Sequence, residues 1–169
     1  MSSCLVTEKV QVPEEVNFPP SVVSAPDAFE LGTSLDQIVT FDLATDGPQL
    51  ELPIIVRDPN VDQELVYEVW VDFTGTNLGA RIQEATPISA MGVLERSLTV
   101  RIPATELAPS EGAAQRSACR KVEVLVTSEF AGGNVRVPAE PADIAQAVWW
   151  VRVIDTESDD TQVTLDQCP

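Results

Sequence analysis

The chain reads as an all-β protein, an antiparallel β-sandwich. Three observations predict it. Apolar and polar residues alternate in one run after another. The runs are divided by clusters of Gly, Pro, Asn and Asp. No stretch sustains the 3.6-residue apolar period of an amphipathic helix. At 169 residues, 44% of them hydrophobic, the chain is long and apolar enough for one domain with a real core and too short for two.

The elements follow in order. Asn17-Phe18-Pro19-Pro20-Ser21-Val22-Val23 predicts an edge strand, because two prolines cannot donate to a ladder. Ile38-Val39-Thr40-Phe41 predicts a short strand, closed by Thr45-Asp46-Gly47-Pro48. Leu50, Leu52, Ile54 and Val56 alternate, and so do Leu65, Tyr67, Val69, Val71 and Phe73 after the turn at Asp58-Pro59-Asn60. Residues 81–88 make a weaker strand. Leu98, Val100 and Ile102 alternate until Pro103 stops the run. Val122, Val124 and Val126 share one face of the next strand. Ala147, Trp149, Val151 and Val153 share one face of another, and Gln162-Val163-Thr164-Leu165 predicts a last short one. Ala104-Thr105-Glu106-Leu107 and residues 141–145 are each long enough for a helical turn and no more. Roughly eight or nine strands at this spacing suit a sandwich.

Composition narrows the function. Twenty-seven acidic residues against ten basic ones give a net charge of −17 and a pI near 4.1. A nucleic-acid backbone needs Lys and Arg to neutralise phosphate, so the balance argues against that partner. An anionic membrane surface is equally disfavoured. The chain has no histidine, which removes the commonest general base and every His-ligated metal site. It shows no G-x-S-x-G elbow, P-loop or S-x-x-K motif. The expectation is a protein that is not an enzyme.

Three cysteines, Cys4, Cys119 and Cys168, pose the question of which stands apart. Cys119 and Cys168 both flank strand-like segments and form the natural disulfide pair. Closing a loop of about 50 residues stabilises by roughly 4 kcal/mol in the chain-entropy model. Cys4 is then the odd one. The small residues Ser2-Ser3 before it resemble the end of a bacterial lipobox, whose cysteine becomes lipidated. Residues 5–17, rich in Pro, Glu and Val, have the composition of a tether. The expected organisation is therefore a tether over 1–17 and a sandwich domain over 18–169.

The stretch Leu52-Pro53-Ile54-Ile55-Val56-Arg57-Asp58-Pro59-Asn60-Val61-Asp62-Gln63-Glu64-Leu65-Val66-Tyr67-Glu68-Val69-Trp70 resembles strands B and C of immunoglobulin-like extracellular domains of the cadherin and polycystic-kidney-disease kind, with Trp70 three residues beyond Tyr67 rather than two. Together with Cys4 and the Asp166-Gln167-Cys168-Pro169 ending, the chain is similar to single-domain lipoproteins of myxobacteria and their relatives. That resemblance implies a Greek-key immunoglobulin-like sandwich, a location at the bacterial cell envelope on the periplasmic or surface face of the outer membrane, and a structural or protein-interaction role. The only membrane contact it implies is a lipid anchor.

Two constellations remain. Asp58, Asn60 and Asp62 have the D-x-N-x-D spacing of calcium loops, and Glu64 adds a fourth oxygen ligand. The same residues suit an Asx turn bonding its own backbone. The second constellation is a surface. If the alternating valines face the core, then Trp70, Leu125, Trp150 and Arg152 face outward on neighbouring strands. Such a stripe predicts a protein-interaction surface or a carbohydrate platform, unless residues 18–41 fold over it. The leading expectation is a non-catalytic envelope subunit. The alternative is an extracellular module for calcium or carbohydrate.

Overall fold

The computed structural model describes residues 17–72, 79–109, 117–132, 136–158 and Cys168. Its elements are β1 (Ser21–Ser24), β2 (Val39–Asp42), β3 (Gln49–Arg57), β4 (Leu65–Val71), β5 (Ala80–Ile88), β6 (Glu95–Pro103), the helical turn α1 (Ala104–Leu107), β7 (Ala118–Thr127) and β8 (Ala145–Ile154). They form two sheets. One is antiparallel, in the order β1-β3-β6; the other has five strands, in the order β2-β8-β7-β4-β5. The chain is mostly β, and the sheets pack face to face.

The inner faces are those the alternation predicts. Leu52, Ile54 and Val56 of β3 meet Val69 of β4, Val122, Val124 and Val126 of β7, and Trp149, Val151 and Val153 of β8 in one fully buried cluster. Burying each such side chain contributes about 1.5–3 kcal/mol. Trp149 keeps its indole N–H satisfied by donating to the Thr33 carbonyl at 3.0 Å. Thr33, in the connection between β1 and β2, therefore lies beside the inner face of β8.

Three differences from the sequence reading have physical causes. The second sheet is mixed, because β2 runs parallel to β8, with Val39 opposite Val151 and Phe41 opposite Val153. The connection over 25–38 carries the chain from one sheet to the other, so β2 enters from the same end as β8 and not by a hairpin. Residues 141–145 form no helix; a turn at 141–142 leads straight into β8. The edge strand expected over 17–23 is confined to Ser21–Ser24, since Pro19 and Pro20 precede the ladder. Phe73 and the strand expected at Gln162-Leu165 lie outside the described residues.

The Cys119–Cys168 disulfide is present, with Cα atoms 5.4 Å apart. Near it, Arg120 binds the end of α1, donating from Nε to the Leu107 carbonyl at 2.9 Å and from Nη2 to the Ala108 carbonyl at 2.8 Å. Its third contact is Asp72, the one described non-glycine residue with positive φ, at 55°. One arginine thus fixes the strained exit of β4 and the short helix together.

Candidate interaction surfaces

β4, β7 and β8 are consecutive in the five-stranded sheet, and the outward set contains Trp70, Leu125, Trp150 and Arg152. The register, however, breaks the expected apolar stripe. Trp70 stands opposite Glu123, which stands opposite Val148. Leu125 lies between Glu68 and Gln146, and Trp150 is opposite Lys121. Arg152 pairs across to Cys119.

Nor is the face bare. Trp70 and Leu125 are only 5% and 3% exposed, while Trp150 and Arg152 are half-buried. Ions cover Trp70. Its indole N–H donates to Glu68 Oε2 at 3.0 Å. The Arg81 and Arg136 guanidiniums lie 6.0 and 5.5 Å from its ring centroid, within reach of the ring quadrupole. Arg81 also pairs with Glu68 at 3.3 Å. Glu123 is 2% exposed and accepts from Lys121 and Arg136 at 2.7 Å and from Gln146 at 2.8 Å. A buried carboxylate is tolerated when its oxygens are this fully bonded. Arg136 arrives from the β7–β8 connection and Arg81 from β5, so the cover comes from elements distant in sequence. A cleft of about 380 Å³ beside this network is lined by Val66, Arg81, Glu84 and Phe130 among others.

The D-x-N-x-D segment takes the form of an Asx turn. Asp58 Oδ1 accepts from the Asn60 N–H at 2.9 Å. Its other oxygen binds Arg96 Nη2 at 3.3 Å, and both side chains are buried to within 1%. The same Nη2 reaches the Asn60 and Val61 carbonyls. Burial, opposed by the Asn60 N–H and Arg96 and aided by nearby Asp143, holds the Asp58 carboxyl above its ordinary value. Asp62 and Glu64 are exposed. Asn60 Oδ1 accepts from the Phe18 N–H at 2.9 Å. Among the described residues no group of three His, Cys, Asp or Glu is placed to hold a metal. Asp58 is thus paired with an arginine cation.

That turn organises a surface the alternation does not reveal. Gly92 donates to the Val61 carbonyl at 3.2 Å and Asp58 to the Leu94 carbonyl at 2.9 Å. The β5–β6 loop and Phe18 are thereby gathered around residues 58–64. Phe18, Met91, Val93 and Leu94 are exposed at 52%, 70%, 43% and 51% at this pole. The run Ala90-Met91-Gly92-Val93-Leu94, apolar yet placed between two strands, is the signal that marks it in the sequence. Phe29 and Leu31 form a second exposed apolar pair, at 68% and 63%, on the β1–β2 connection. Cys4 lies outside the described residues.

No protein-family model, curated protein or solved structure matches this chain.

Proposed function

We propose that the chain is a non-catalytic immunoglobulin-like domain of the bacterial cell envelope, lipid-anchored through Cys4 and serving as a structural or protein-interaction subunit. The observation that carries this reading is the Cys119–Cys168 disulfide, since disulfides persist in oxidising compartments outside the cytoplasm. The strand order, with β2 parallel to β8 at one edge and β4, β7 and β8 adjacent, supports the immunoglobulin-like arrangement. The partner surface in this reading is the pole of Phe18, Met91, Val93 and Leu94, because soluble domains seldom leave a contiguous apolar patch open without a use.

The rival expectation needs Asp58 free of Arg96 for calcium, or the Trp70 ring open to a sugar face. Neither condition is met. The test is metabolic labelling of the full-length gene product with a radiolabelled fatty acid, followed by membrane fractionation. Label that survives in the wild type and vanishes in Cys4→Ser supports the anchor; a cytosolic, unlabelled protein with reduced Cys119 and Cys168 overturns the reading. Met91→Asp then tests the pole, with loss of co-purifying envelope protein and an unchanged fold as the expected outcome.

A further inference from the structure

The pole of Phe18, Met91, Val93 and Leu94 is where the β3–β4, β5–β6 and β7–β8 connections come together. Their sequences hold six acids, Asp58, Asp62, Glu64, Glu129, Glu140 and Asp143, and one base, Arg136. Asp58 and Asp143 are buried. The other four acids are exposed. Arg136 is turned onto the sheet face, 5.5 Å from the Trp70 ring centroid and paired with Glu123. Arg57 and Glu95, at the neighbouring strand ends, pair with each other. Among the described residues, the exposed charge of these connections is therefore of one sign.

The acids bracket the apolar side chains. A Cβ placed on Gly92 would lie 3.9 Å from Asp62 Oδ1, so that carboxylate stands beside the loop of Met91 and Val93. On the other side, Glu140 Oε2 accepts from Asn17 Nδ2 at 3.4 Å, one residue from Phe18. The backbone N–H groups of Phe18, Asp58 and Gly92 tie the loops together, so a partner meets the pole without the cost of ordering it. An apolar centre inside a polar rim is the build of a protein interface. The cleft of about 380 Å³ lies between β5 and the start of the β7–β8 connection. Its lining holds Glu68, Glu84 and Glu129, with one base, Arg81, and the ring of Phe130. An acidic cleft with an aromatic wall suits a cationic side chain.

We propose that the occupant of this pole is a cationic protein segment. Its apolar side chains cover Phe18, Met91, Val93 and Leu94, and its lysines or arginines meet Asp62 and Glu140. The inference rests on the reading of the pole as a partner surface and names that partner's chemistry. Charge decides between occupants. A second copy of this chain would set the same acids against each other across a two-fold axis. Anionic lipid headgroups meet the same repulsion. The chain's own residues 1–16 hold Glu8, Glu14 and Glu15 with one base, Lys9, and so carry the wrong sign.

The experiment is calorimetric titration of the full chain with three synthetic peptides, alternating Leu and Lys, Leu and Glu, or Ser and Lys. The Leu–Lys peptide is expected to bind about tenfold tighter than either of the others. Asp62→Asn with Glu140→Gln should weaken its binding about 3- to 10-fold, and Met91→Ser about tenfold. Asp27→Asn with Glu30→Gln removes the same charge beside Phe29 and Leu31 and should change nothing. Equal weakening by both double variants would reduce the effect to net charge and overturn the proposal. So would a Leu–Glu peptide bound as tightly as Leu–Lys, or self-association of the chain that Met91→Ser abolishes, which would make a second copy the occupant. Loss of co-purifying envelope protein from Met91→Asp, with none from Asp62→Asn and Glu140→Gln, would keep the pole as the partner surface and overturn only the basic chemistry assigned to its partner. Selective Leu–Lys binding by a chain that takes up no fatty-acid label would support that chemistry while the anchor falls.

Discussion

Trp149 and Trp70 lie on opposite faces of the same sheet and are almost equally buried, at 1% and 5% exposed. They are buried by different means. Trp149 is enclosed by Val and Ile side chains from both sheets, with one hydrogen bond to the Thr33 carbonyl. Trp70 is enclosed by two arginines and the carboxylate that accepts its indole N–H. The inner face is held by the hydrophobic effect, which needs many neighbours and no particular geometry. The outer face is held by charged groups whose effect depends on each partner being in place. The contrast shows that alternation reports which way a side chain points and says nothing about whether it meets water.

The sharpest way to break the comparison is to disturb each face in turn. Trp149→Ser removes a fully buried ring from the shared cluster and leaves a cavity lined by valines. The expected cost is about 3–5 kcal/mol, read as a large fall in the denaturation midpoint. An unaltered midpoint would mean that the inner face is not the core.

The outer face should respond less. Glu123→Gln keeps the shape and removes the charge that Lys121 and Arg136 share. The expected loss is about 1–3 kcal/mol, because both cations lose the opposing charge and one of them meets an amide NH2 where a carboxylate oxygen stood. Its signature is selectivity: hydrogen exchange should rise over the β7–β8 connection that carries Arg136 while the centre of β3 stays protected. A uniform loss across both sheets would show the two faces to be one cooperative unit.

Trp150→Ser should cost least of the three, within about 1 kcal/mol. Trp150 is half-buried outside the core cluster and pairs across to Lys121. Equilibrium denaturation beside Trp149→Ser makes the parity explicit, since the two residues are adjacent in sequence and opposite in facing. Equal losses would erase the distinction.

How much of this was legible follows from the same contrast. β3, β4, β6, β7 and β8 are readable because strict alternation of Val, Ile and Leu has one physical meaning in a half-buried strand. The Cys119–Cys168 pair was readable from an odd cysteine count and strand-flanking positions. The parallel pairing of β2 was not, because four residues carry no record of the direction in which they are approached. The cover over Trp70 was not, because Arg81 and Arg136 gain their meaning only once distant elements are brought to one face. The Asp58 turn admitted two readings. Arg96, 38 residues away, decides between them by donating to Asp58.

The smallest expected effect concerns pH, and it separates carboxylates of opposite behaviour. Thr156, through its hydroxyl and then with the Ala44 N–H, holds the Asp42 carboxyl below its ordinary value. Arg101, then Gln49, does the same for Glu51. A carboxyl lowered in the folded state contributes stability above its unfolded value, near 3.8 for Asp42 and 4.5 for Glu51. That contribution is lost as pH falls through the lowered folded value. Asp58 runs the other way. Its folded value is raised above 3.8, chiefly by burial, so between the two values the folded chain holds a proton that the unfolded chain has released. Stability from this group is therefore full below pH 3.8 and declines as pH rises through the folded value. Arg96 and Asp143 are the charged groups that face it, and the net charge of −17 adds self-repulsion that mild acidification relieves. Above about pH 5, where Asp42 and Glu51 already contribute in full, raising the pH toward neutrality should thus lower the melting temperature of the wild type slightly, and moderate salt should reduce that fall. Asp58→Asn, which cannot ionise, should flatten the slope on the pole while leaving the acid-side loss from Asp42 and Glu51 intact. A pH profile of melting temperature for the two chains checks it, and identical slopes above about pH 5 would show that Asp58 does not carry the dependence.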